Sequence, residues 1–106
     1  MKIKTRNTDN PNIKEYYHPF YKDWRGINAD ATNENIKADI DIDRAAIVKL
    51  MLSEEINVPS SSITWLGKNL FSYRTEENTV FKTCYYTPSD EVIIEFIEDS
   101  KKVNEK

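Results

Sequence analysis

From Ile36 to Ile42 every second residue is apolar (Ile36, Ala38, Ile40 and Ile42), with Lys37, Asp39 and Asp41 between them. A period of two predicts a half-buried β-strand, one face dry and one charged. The period changes at Asp43. Beyond it Ile47, Val48, Met51 and Leu52 recur at helical spacing, and Ala45, Leu50 and Ile56 widen the apolar face. Asp43 is the expected N-cap, its carboxylate accepting from the first backbone N–H groups of the helix. Ile42 and Ile47 then occupy the two positions of a hydrophobic staple. Asn57 suits a left-handed residue that closes the helix, and Pro59 cannot continue it. The pattern therefore reads as a strand running straight into an amphipathic helix. The rest of the chain must supply the surface against which both are buried.

In front of this stretch, Lys2–Arg6 reads as a short edge strand and Asn7–Asn12 as a loop. Tyr16, Tyr17, Phe20, Tyr21 and Trp24 form a helical stripe interrupted by Pro19. A short helix is expected over Pro19–Arg25, with proline at its first position and Gly26 past its end. Asn28–Asn35 reads as loop. After the central helix, Ser60–Ser62 is a polar connector. Ile63–Leu66 and Lys68–Arg74 read as one strand bulged at Gly67. Thr75–Asn78 is a turn, Thr79–Thr87 a strand rich in β-branched and aromatic residues, and Thr87–Asp90 a proline turn. Glu91–Glu98 is the expected last strand, with Val92, Ile94 and Phe96 on one face and Glu91, Ile93, Glu95 and Ile97 on the other. The predicted fold is α+β: an antiparallel sheet of about four strands with one main amphipathic helix on one face, in the order β-α-β-β-β, and a short N-terminal helix.

A chain of 106 residues is expected to form one domain, with residues 1–12 and 99–106 as flexible ends. No apolar run approaches the roughly 20 residues of a membrane span, and no signal-peptide core follows Met1. With a single cysteine, Cys84, this points to a cytoplasmic protein without membrane contact. The net charge of −3 is uneven: residues 1–25 hold six basic and three acidic groups, and residues 26–106 hold nine basic and fifteen acidic ones. An acidic body of this kind repels nucleic acid and attracts a basic partner.

Motifs for chemistry are weak. Asp39, Asp41 and Asp43 suggest a calcium loop, but the sixth and twelfth positions hold Arg44 and Leu50 where glycine and glutamate are needed. One histidine, His18, and one cysteine give no zinc spacing and no paired nucleophile and base. Only Gly26 and Gly67 are available, so a glycine-rich phosphate loop is absent. No cofactor, metal or catalytic residue is predicted.

The expectation is a small acidic non-catalytic protein-binding module. By analogy of size and charge it is a phage or mobile-element inhibitor that occludes a host defence or nucleic-acid-processing protein. The expected partner is a larger protein with a basic surface. Contact residues are Asp39 and Asp41, the strip Glu91, Ile93, Glu95 and Ile97, and the aromatic segment Tyr17, Tyr21, Trp24 and Arg25. Self-association of the strip would give a homodimer. The first alternative is a nucleic-acid-binding accessory protein, since Lys14, Lys22 and Arg25 alternate with Tyr16, Tyr17, Phe20 and Trp24. The second is a small enzyme.

Overall fold

The computed structural model describes residues 2–75 and 80–104. The chain is α+β; among the described residues it has two three-stranded antiparallel sheets and two helices. In order these are β1 (Thr5–Asn7), β2 (Ile13–His18), β3 (Asp23–Asn28), α1 (Asn33–Ile56), a 3-10 turn (Ser60–Ser62), β4 (Ile63–Gly67), β5 (Leu70–Tyr73), β6 (Lys82–Tyr85) and α2 (Asp90–Asn104). The sheets run β1-β2-β3 and β4-β5-β6. The chain divides into two compact units, Met1–Ile42 with Ile94–Lys106, and Asp43–Ile93. The division falls within both helices. The expected single four-stranded sheet is thus replaced by two smaller ones.

The strand expected over Ile36–Ile42 is the first half of α1. Ile36 and Ile40 are four residues apart, so they satisfy a helical period as well as an even one, and these two are buried. Ala38 and Ile42, which only the strand pattern needs, are exposed, Ile42 at 55%. The buried face continues through Ile47, Val48 and Leu52.

The helix starts at Asn33, so Asp43 lies in its interior and is not its N-cap. The cap is Thr32. Asn35 N–H donates to Thr32 Oγ1 at 3.2 Å, and Thr32 N–H donates to Asn35 Oδ1 at 2.9 Å. This is a reciprocal capping box with asparagine in the place glutamate usually takes. Thr32→Ala is expected to cost about 1 kcal/mol in urea unfolding; an unchanged midpoint would remove the cap from the account. At the other end Asn57 is left-handed, with φ 56°. Val58 N–H donates to the Ser53 carbonyl at 3.2 Å, the six-to-one bond of a Schellman ending. This end matches the sequence expectation.

In the first unit, the aromatic segment forms a hairpin in place of the expected Pro19–Arg25 helix. β2 and β3 pair from Ile13 opposite Asn28 to His18 opposite Asp23. Pro19–Lys22 is the loop between them, closed by Lys22 N–H donating to the His18 carbonyl at 2.8 Å. Proline presets the first loop position, and Lys22 takes the left-handed conformation at the last, with φ 53°. Tyr16 and His18 alternate inward, a period of two that the helical reading of the rings concealed. β1 is an edge strand, as expected, but lies at Thr5–Asn7.

In the second unit, Gly67 and Lys68 both have positive φ, 114° and 48°. The register shifts between Trp65 and Gly67, so the expected irregularity is present. The chain there turns back as the β4–β5 hairpin and does not continue as one strand. Phe71, opposite both Trp65 and Cys84, is fully buried. From residue 76 the expected turn over 75–78 lies outside the described residues.

The last predicted strand, Glu91–Glu98, is helix α2, and the tail expected to fray is helical through Asn104. Ser89 Oγ accepts from Val92 N–H at 3.2 Å as the N-cap, and Asp90 and Glu91 stand in the first turn, where carboxylates favour a helix N-terminus. Ile93 and Ile97 are 0% and 7% exposed, whereas Val92 is 44% exposed. Spacing of four puts the two isoleucines together on the buried face. The expected apolar contact strip is therefore turned inward.

Candidate binding face on the N-terminal sheet

Strand pairing in the first sheet sorts its side chains onto two faces. Residues directly opposite in an antiparallel pair share a face. Tyr16 and His18 point to the buried side. Tyr17 stands opposite Trp24 on the other side, and Tyr17 N–H donates to the Lys4 carbonyl at 3.0 Å. Arg6, Glu15 and Gly26 form the next row of that face.

The rings and cations of this outer face touch. Tyr17 and Trp24 meet edge to face, with centroids 5.4 Å apart. The Arg6 guanidinium lies 4.0 Å from the Trp24 ring centre, and its Nε donates to Glu15 Oε1 at 2.8 Å. The Lys4 ammonium lies 5.9 Å from the Tyr17 ring centre. Arginine over tryptophan is the stronger of these two cation–aromatic contacts.

Beside Tyr17 the same unit carries a cavity of about 300 Å³. Its apolar wall is Ile3, Tyr17, Pro19 and Ile40; Lys2, Lys4 and Lys22 also line it. Lys22 Nζ donates to Glu98 Oε1 at 2.5 Å. That hydrogen bond, reinforced by the carboxylate's charge, holds the Lys22 ammonium above its ordinary value.

The sequence-predicted contact residues are only partly brought together. Tyr17 and Trp24 form the centre of the outer face. Tyr21 and Arg25 make a separate pair, with the guanidinium 4.6 Å from the ring centre and Arg25 Nε donating to Asp23 Oδ1 at 3.1 Å. Asp39 and Asp41 are exposed on α1, roughly 200° apart around its axis, so they do not share the face that a strand would have given them. Glu91 and Glu95, four apart on α2, are exposed on one side of it. Among the described residues no three His, Cys, Asp or Glu side chains gather as a cation site. Cys84 is half-buried in β6, and burial pushes its thiol up.

Sequence reasoning missed Lys4 and Arg6. Both precede the aromatic segment and join it only through the β1–β2 pairing. It also missed Leu66, Phe81 and Tyr85, large apolar side chains exposed in the second unit at 50%, 61% and 77%. Leu66 and Tyr85 lie on strand faces that alternation alone did not assign, and Phe81 immediately precedes β6.

Comparison with protein-family models, curated proteins and solved structures finds no match. The functional reading therefore rests on the side chains themselves. Among the described residues, no helix is long and apolar enough to cross a membrane.

Proposed function

We propose that this chain is a non-catalytic binding module that docks on a larger protein and occludes its surface, as an inhibitor does. The observation that carries the reading is the Tyr17–Trp24 pair with Arg6 and Lys4 over its rings, set on a hydrogen-bonded sheet. Tyrosine, tryptophan and arginine are the side chains that most often anchor protein interfaces, and a sheet holds them with little entropy left to lose. The exposed Leu66, Phe81 and Tyr85 of the second unit also favour a protein partner, which buries apolar surface. Lys4 and Arg6 make the sheet face complementary to an acidic patch. The basic partner expected from whole-chain charge would instead meet Glu91 and Glu95, which share one side of α2.

A second reading is favoured by the same rings: cations interleaved with aromatics make a stacking platform for single-stranded nucleic acid. The two readings separate in one pair of experiments. Tagged protein is used to capture partners from the native lysate, with wild type and Tyr17→Ala/Trp24→Ala compared. Loss of two anchors of this kind, each worth about 2 kcal/mol or more, is expected to abolish capture while leaving urea unfolding of the second unit unchanged. Capture that survives the double substitution would move the interface elsewhere. A labelled single strand whose mobility shift weakens with salt would establish the second reading.

A further inference from the structure

The cavity beside Tyr17 is built differently from the docking face around Trp24. Ile3, Pro19, Ile40 and Tyr17 supply its apolar lining, around about 300 Å³. That volume is at the lower end of the roughly 300–1,000 Å³ typical of small-molecule sites. The charged residues lining it are all lysines: Lys2, Lys4 and Lys22. Three lysines lining an apolar recess complement a compact group of high negative charge carried on an apolar or planar body. Ammonium groups act on phosphate as point charges, needing no fixed fork geometry.

We propose that this cavity binds a phosphate monoester, with the phosphate among Lys2, Lys4 and Lys22 and its organic body against Tyr17, Pro19 and Ile40. Glu98 is the built-in competitor. Its carboxylate already occupies Lys22 Nζ at 2.5 Å, so an incoming phosphate takes that ammonium from it. The site thus has an unusual signature: removing the Glu98 charge strengthens binding. The pocket shares Tyr17 and Lys4 with the docking face, but neither Trp24 nor Arg6 lines it, so substitution of Trp24 tests the two sites separately.

The test is a calorimetric and NMR titration of the full chain with phenyl phosphate, adenosine 5′-monophosphate and inorganic phosphate. At least one ester is expected to bind saturably and at least ten-fold more tightly than inorganic phosphate, perturbing the Tyr17 ring signals. Which ester binds more tightly identifies the body: a phosphorylated phenol or a nucleotide. Lys4→Gln and Lys22→Asn are each expected to weaken binding several-fold. Asparagine tolerates the left-handed backbone at position 22, so that variant keeps the loop. Glu98→Gln is expected to tighten binding two- to five-fold. The proposal is overturned if neither ester saturates at millimolar concentration, or if inorganic phosphate binds as tightly as the esters. It is equally overturned if Glu98→Gln weakens binding, or if the lysine variants leave it unchanged. A Trp24→Ala control that loses partner capture but still binds the ester separates this site from the docking face.

Discussion

Phe71→Ala is expected to destabilise the protein by about 3–5 kcal/mol in urea unfolding. Phe71 is the largest fully buried side chain among the described residues, 0% exposed. It sits in the middle of β5, the central strand of its sheet, with Trp65 on one side and Cys84 on the other. Both neighbouring strands constrain the backbone around it, so the surroundings cannot readily collapse into the space the ring leaves. Truncation therefore costs the transfer energy of the ring and the cavity together. For a chain of this size the loss is a large part of the total, which is of order 5–15 kcal/mol. Tyr85→Ala is the control. Tyr85 lies in the adjacent strand β6 but is 77% exposed, and its removal is expected to change stability by less than about 0.5 kcal/mol. Equal costs for the two variants would mean that the burial of Phe71 contributes nothing particular to the second unit.

Local chemistry was legible where one residue decides the backbone. Asn57 and Pro59 mark the end of α1 because a left-handed residue and a missing N–H act without help from distant contacts. Gly67 marks an irregularity for the same reason. Element type was not legible where two periods share the same residues. Ile36 and Ile40 satisfy both strand and helix; only the exposure of Ala38 and Ile42 tells them apart, and exposure is a tertiary fact. In α2 the segment from Val92 to Ile97 holds apolar residues at five of its six positions, and such a run carries little periodicity. The helix there is indicated instead by Ser89 and the acidic pair Asp90 and Glu91, which read just as well as a turn. Over Tyr16–Trp24 the rings fell at helical spacing by accident of sequence, while Pro19 and Lys22 were shaping a hairpin loop. The outer face of that sheet was half legible. Tyr17 and Trp24 stood out as aromatic, but Lys4 and Arg6 reach them only by strand pairing.

The other large effect is expected at His18, which the sequence offered as the chain's single histidine with no partner for catalysis. The structure gives it a structural task. It is 0% exposed, and its Nδ1 accepts from Phe20 N–H and Tyr21 N–H, both at 3.3 Å. These amides belong to the Pro19–Lys22 loop, so the imidazole serves as the acceptor that an asparagine side chain provides in an Asx turn. Its ring also stacks in a tilted arrangement 4.6 Å from the Tyr21 ring. Leucine and asparagine have nearly the same shape, and only asparagine can accept a hydrogen bond. His18→Leu leaves both amides without their acceptor and is expected to cost roughly 2–4 kcal/mol, one unsatisfied amide being worth about 1–3. His18→Asn restores an acceptor at the same offset and is expected to cost at least about 1 kcal/mol less. Amide exchange at Phe20 and Tyr21 is the second readout, faster in the leucine variant and close to wild type in the asparagine one. If leucine and asparagine destabilise equally, with equal exchange rates, the Nδ1 acceptor contributes nothing to the loop. The hairpin that presents Tyr17 and Trp24 would then be closed by the backbone bond between Lys22 and His18.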